Sequence, residues 1–148
     1  MPGMLDIRVV PLCNMIVFLK CVLCNTRSLL NKLDYLKLLQ SCSVDVMLVM
    51  ESWLDNSIPD SMIISQSDFN CYWKDRDRNG GGVCILVNSS INVIPVTLPK
   101  KFCHLEIVAI DVIGCNLKKT ELLLFIDLGT MIKVLNNTLM ILWHACGY

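Results

Sequence analysis

The chain reads as an α+β domain, and three observations lead there. Residues 19–24 form a short, mostly apolar segment, residues 28–41 carry leucines at helical spacing, and residues 44–50 suit a second strand around the apolar run 46–50. That order is strand, helix, strand. Beyond it come short strand-like runs separated by Asn, Asp, Gly and Pro, the punctuation of turns rather than of helices. The third observation is length: 148 residues allow one domain with a sizeable core.

Each element has its own reason. Ser28 is expected to cap a helix running to about Ser41. Leu29, Leu33, Leu36 and Leu39 make its apolar stripe, and Lys32, Asp34, Lys37 and Gln40 occupy polar positions. Residues 46–50 are all apolar, which suits a strand buried on both faces. Residues 55–60 are rich in turn formers. Residues 69–74 and 83–87 then predict a hairpin across a polar turn, where Gly80, Gly81 and Gly82 supply positive φ. Residues 91–98 suit a strand that Pro95 confines to an edge or bulge. Residues 106–112 and 121–125 predict a further pair.

Composition narrows the function classes. Thirteen basic and 13 acidic residues cancel, so no net charge steers the chain toward nucleic acid. A local basic patch stays compatible with that balance. The apolar fraction, 54%, is high for a small domain and implies a large core or a covered surface. Nine cysteines are present, but they stand singly inside apolar runs, as buried thiols do. Cys21 and Cys24 have C-x-x-C spacing without a second pair or a nearby His, so zinc or redox chemistry is not expected. Reduced cysteines point to an intracellular location. Residues 9–24 are apolar, yet Pro11, Asn14 and Lys20 interrupt them before the roughly 18 residues that a span needs. Neither a membrane span nor a signal peptide is expected.

The richest stretch is Val49, Met50, Glu51, Ser52, Trp53 and Leu54. Glu51 follows directly on the buried run, where a charge is costly unless something pairs with it, as a divalent cation would. Asn25 ends the earlier apolar segment in the same way. Two hard oxygen donors at two strand tips could share one ion. The blander readings are a turn asparagine and a solvated strand-end carboxylate. Lys74, Arg76 and Arg78 stand on the polar turn before the glycines. There they suit phosphate oxygens, or simply a charged turn neutralised by Asp75 and Asp77. Glu106 and Asp111 read as strand residues without a catalytic role, and His104 and His144 as structural or surface histidines.

In this order, Asn25 to Ser28, Asn31 to Asp34, Glu51 to Leu54 and Lys74 to Val83 resemble the endonuclease domains of non-LTR retrotransposons. These domains accompany a reverse transcriptase and belong to the endonuclease/exonuclease/phosphatase superfamily of DNase I-like fold. The resemblance covers residues 19–124, leaving 1–18 as an unmatched apolar extension and 125–148 as an unmatched apolar tail. It implies part of a four-layer α/β/β/α sandwich, a hydrolase nicking DNA, and a Mg²⁺ or Mn²⁺ ion held by Asn25 and Glu51. Phosphate contacts from Arg76 and Arg78, no small-molecule cofactor and a nuclear site of action belong to the same expectation. The family's later tyrosine segment, its Gly-Asp-Phe-Asn and its Ser-Asp-His are not found in these 148 residues. The sequence reading is therefore a truncated, inactive relative of the nuclease. Its alternatives are a non-catalytic interaction or structural remnant, and a small membrane-associated protein using its apolar ends.

Overall fold

The computed structural model describes residues 6–12, 17–64, 68–75, 80–113, 119–126, 131–135 and 139–142. They form two five-stranded sheets. The first contains β1 (Asp6–Leu12), β2 (Val17–Asn25), β3 (Val46–Met50), β4 (Phe69–Lys74) and β5 (Val83–Asn88), in the order β1-β2-β3-β5-β4. The second contains β6 (Val93–Pro95), β7 (Glu106–Ile113), β8 (Lys119–Ile126), β9 (Met131–Leu135) and β10 (Leu139–Leu142), in the order β10-β9-β8-β7-β6.

Only β2 and β3 pair in parallel; every other described pair is antiparallel. A parallel pair needs a crossover, and the leucine-periodic stretch supplies it as α1 (Leu33–Ser41). The helix starts later than its leucines suggest. Ser28 does not cap it: its φ is +86°, its amide donates to Glu51 O at 2.9 Å, and a 3-10 turn at Leu30–Lys32 intervenes. The amide is recruited by the tip of β3, so the cap expected from local sequence loses to a tertiary bond. Residues 60–63 add one short helical turn, α2 (Asp60–Ile63), tied to β4 where Trp73 Nε1 donates to Asp60 Oδ1 at 2.9 Å.

Strand β3 is the spine of the first sheet, flanked by β2 and β5 and buried along its whole length. Its alternation sorts two cores. Val46, Leu48 and Met50 pack with Leu23, Val83 and Ile85, and with Val108, Ile110 and Val112 of β7. This is the layer between the sheets. Met47 and Val49 face the other way, with Val22, Cys84 and Leu86, against Leu29, Leu36, Leu39 and Ile63. Each fully buried Leu or Val contributes about 1.5–3 kcal/mol. The described residues thus stack helix on sheet on sheet, a mixed α+β arrangement.

Two expectations change in detail. The apolar extension contributes a strand: β1 pairs with β2 from Asp6 opposite Leu23 to Leu12 opposite Val17. Pro11 does not prevent this, because β1 is an edge strand and a missing N–H costs little on the outer side. The tail beyond 125 likewise supplies β9 and β10. Elsewhere 69–74 and 83–87 are the β4–β5 hairpin and β8 pairs with β7, while the strand expected over 91–98 shortens to the edge strand β6, which Pro95 ends.

Candidate functional site

The parallel register sets Asn25 opposite Met50, so Asn25 and Glu51 stand at neighbouring strand tips. The tips are laced together. Thr26 N–H donates to Met50 O at 3.0 Å, and the buried Thr26 hydroxyl reaches Met50 O at 3.3 Å and Glu51 O at 3.1 Å. The amides of Ser28 and Leu29 donate to the carbonyls of Glu51 and Ser52, each at 2.9 Å. The chain leaving β2 is therefore bound to the chain leaving β3.

Both exits use left-handed backbone. Arg27 and Ser28 have φ of +43° and +86°, and Glu51 and Trp53 have φ of +54° and +52°. Non-glycine residues seldom adopt this region, each at a cost of roughly 1–3 kcal/mol, and such residues gather where a site needs an unusual direction. For Glu51 the consequence is concrete. Simple alternation after Met47 and Val49 would continue it onto the helix-covered face. The left-handed turn at Glu51 breaks that alternation, and its carboxylate meets the glycine turn that leads into β5.

Glu51 Oε2 accepts two hydrogen bonds there, from Trp53 Nε1 at 2.9 Å and from Gly81 N at 3.1 Å. The turn returns the contact, since Trp53 N–H donates to Gly81 O at 3.1 Å and Ser52 N–H to Gly82 O at 3.2 Å. Gly80, Gly81 and Gly82 have φ of +121°, +81° and +82°, as their positions in the turn require. The carboxylate's Oε1 accepts no hydrogen bond among the described residues. A carboxylate offers about four lone-pair sites, so two N–H donors on one oxygen leave room for a cation.

The donor set suits a hard ion. Asn25 is exposed and Glu51 half-buried, and they offer an amide oxygen and a carboxylate from adjacent tips. Mg²⁺ takes one or two protein carboxylates and completes its shell with water and phosphate. Among the described residues no cluster of three or more His, Cys, Asp or Glu side chains could hold a metal.

Other sequence candidates lie elsewhere. Arg76 and Arg78, with Asp77, are outside the described residues, as is His144. Lys74 is exposed at the end of β4, opposite Val83. His104 is exposed on the turn before β7. Burial and the neighbouring Asp45 push the Cys21 thiol up to about 12, and burial alone does the same for Cys24. The C-x-x-C pair is thus held protonated in the core, opposite in character to a reactive thiolate.

Sequence reasoning missed two contributors. Thr26 carries no signal of its own in the sequence, yet its hydroxyl bridges the tips. Glu106 was a plain strand residue, yet its Oε2 accepts Gly82 N–H at 2.8 Å. No local spacing announces that bond, because the partners lie on different sheets. Comparison with known proteins adds no identity: no protein family, curated protein or solved structure matches the chain.

Proposed function

We propose that the chain is a relative of metal-dependent phosphodiesterases that nick DNA, of the DNase I-like kind found with non-LTR retrotransposons. In this reading Asn25 and Glu51 hold a Mg²⁺ or Mn²⁺ ion. The observation that carries it is Asn25 paired with Met50, the residue before Glu51, across parallel β2 and β3. The doubly anchored Glu51 carboxylate supports it.

A divalent ion bound there would polarise a phosphodiester oxygen and stabilise a leaving oxyanion. The chain's own residues do the holding. Trp53 Nε1 and Gly81 N fix one oxygen of Glu51, while Thr26 and Ser28 fix the backbone on which it stands. Water activation calls for a general base, and His104, exposed on the turn before β7, matches no catalytic motif. Lack of a general base alone lowers rates by about 10²–10⁴. The chain is accordingly a cation-binding relative with turnover near background.

Calorimetric titration with Mn²⁺, together with a supercoiled-plasmid nicking assay, tests this. The expected result is Mn²⁺ binding weakened at least about tenfold by Glu51→Gln, with nicking by both proteins at background. Metal-dependent nicking lost in Glu51→Gln would make the chain a competent nuclease. Mn²⁺ binding indifferent to Glu51 would end the metal-site reading and leave a non-catalytic remnant.

A further inference from the structure

We propose that Glu106 is a positioning residue for Glu51, acting across the two sheets through the glycine turn. This rests on the reading of Glu51 as the cation-binding carboxylate. Glu51 extends from the tip of β3 in the first sheet, and Glu106 opens β7 in the second. Their carboxylates accept the amides of successive residues: Gly81 N–H reaches Glu51 Oε2 at 3.1 Å, and Gly82 N–H reaches Glu106 Oε2 at 2.8 Å. Each bond has ordinary N–H···O geometry and gives its turn amide a fixed acceptor.

The turn needs such fixing. Three successive glycines with positive φ are the least restricted backbone in the chain, and ordering them costs more entropy than ordering any other residues. Two of their anchors, Ser52 N–H on Gly82 O and Trp53 N–H on Gly81 O, come from the segment that carries Glu51 itself. Val83, the next residue, is buried and paired with Met50 and Lys74, so these holds all belong to the first sheet. Glu106 is the anchor from outside. Strand β7 is fixed by Ile107, Val108, Ala109 and Ile110, all buried. The second sheet thereby adds its own hold on Gly82, Gly82 adjoins Gly81, and Gly81 orients the Glu51 carboxylate.

The role requires an acceptor at position 106 rather than a charge, and this separates it from a second cation ligand. Glu106→Gln keeps a carbonyl oxygen for Gly82 N–H; Glu106→Ala removes it. Amide exchange followed by ¹⁵N NMR on the whole chain reads the positioning directly, without metal. In Glu106→Ala the Gly81 amide and the Trp53 indole N–H are expected to exchange at least about tenfold faster. Leu48 and Ile85 in the core should be unchanged, and Mn²⁺ affinity should fall about tenfold. In Glu106→Gln all of these stay within about twofold of the parent, since the acceptor is retained.

Three results overturn the proposal. One is exchange at Gly81 and Trp53 unmoved by Glu106→Ala. Another is core amides accelerating equally, which would make Glu106 a general stabiliser. The third is Glu106→Gln behaving like Glu106→Ala, which would make its charge the active property. Failure of the parent chain to bind Mn²⁺ sinks the metal reading of Glu51, while the exchange data still decide the part played by Glu106.

Discussion

Gly82 lies against Ser52 so closely that a Cβ built on the glycine would stand 2.6 Å from Ser52 Oγ, with Lys74 O at 3.4 Å and the Asp75 Cα at 3.7 Å. The Ser52 hydroxyl is fully buried and has no hydrogen-bond partner among the described residues. Two costs meet at one contact: a buried hydroxyl without a bond, and a turn residue that admits no side chain.

A double-mutant cycle follows from that contact. Gly82→Ala is expected to destabilise by about 2–4 kcal/mol, combining left-handed strain with overpacking. Gly80→Ala should cost less, because its Cβ would meet only Trp53 Nε1 at 3.7 Å and Glu51 Oε2 at 3.9 Å. Ser52→Ala should be neutral or slightly stabilising, since it removes an unbonded buried hydroxyl. Combined with Gly82→Ala it should recover at least about 1 kcal/mol, the range expected for residues in contact. Urea midpoints of the four proteins check this; strict additivity would show that the packing does not hold.

The buried thiols predict a stability loss on the alkaline side. Cys21 and Cys24, pushed up to about 12 from an ordinary 9.0, lose protons in the unfolded chain before the folded one does. Above pH 9 the unfolded state therefore binds fewer protons, and stability falls as pH rises toward 12. Each unit is worth about 1.4 kcal/mol per thiol, so a loss of a few kcal/mol is expected by pH 11. Below pH 9 these two groups leave stability flat. Chemical denaturation between pH 7 and pH 11 measures it, with Cys21→Ala and Cys24→Ala as controls that flatten the slope.

Reactivity separates the same cysteines from exposed ones. Cys42 and Cys103 are exposed, whereas Cys21, Cys24 and Cys84 are buried. An aromatic disulfide reagent at neutral pH should label the first two rapidly and the other three only on unfolding. Mass mapping after brief labelling decides this. Rapid labelling at Cys84 would mean that β5 does not stay closed in between β3 and β4.

Helix docking gives a direct contrast between neighbours. Leu36 is 1% exposed and packs beneath α1, while Leu38, two residues on, is 58% exposed. Leu36→Ala should cost about 2–5 kcal/mol, and Leu38→Ala within about 0.5 kcal/mol. Thermal or denaturant unfolding tells them apart. Equal effects would contradict the face on which the helix lies.

Much of this fold is written in local sequence. The apolar run 46–50 and the leucines at 29, 36 and 39 dictate a buried strand and a helix covering it, because periodicity alone decides which face meets the core. The three glycines likewise dictate a turn, since only glycine adopts its angles without strain. Asn25 and Glu51 were legible as strand-end oxygen donors for the same reason.

Local sequence did not determine where those donors point or what holds them. Ser28 has the chemistry of a helix cap, and the tip of β3 takes its amide instead. Glu51 would follow strand alternation onto the wrong face, and a left-handed turn bound by Thr26, Ser28 and Gly81 redirects it. Glu106 joins the site from the other sheet, 24 residues beyond the glycine it holds. These are contacts between segments distant in the chain, worth about 1 kcal/mol each. They exist only once the apolar faces have packed and brought their partners within reach, which is why only the tertiary structure decided them.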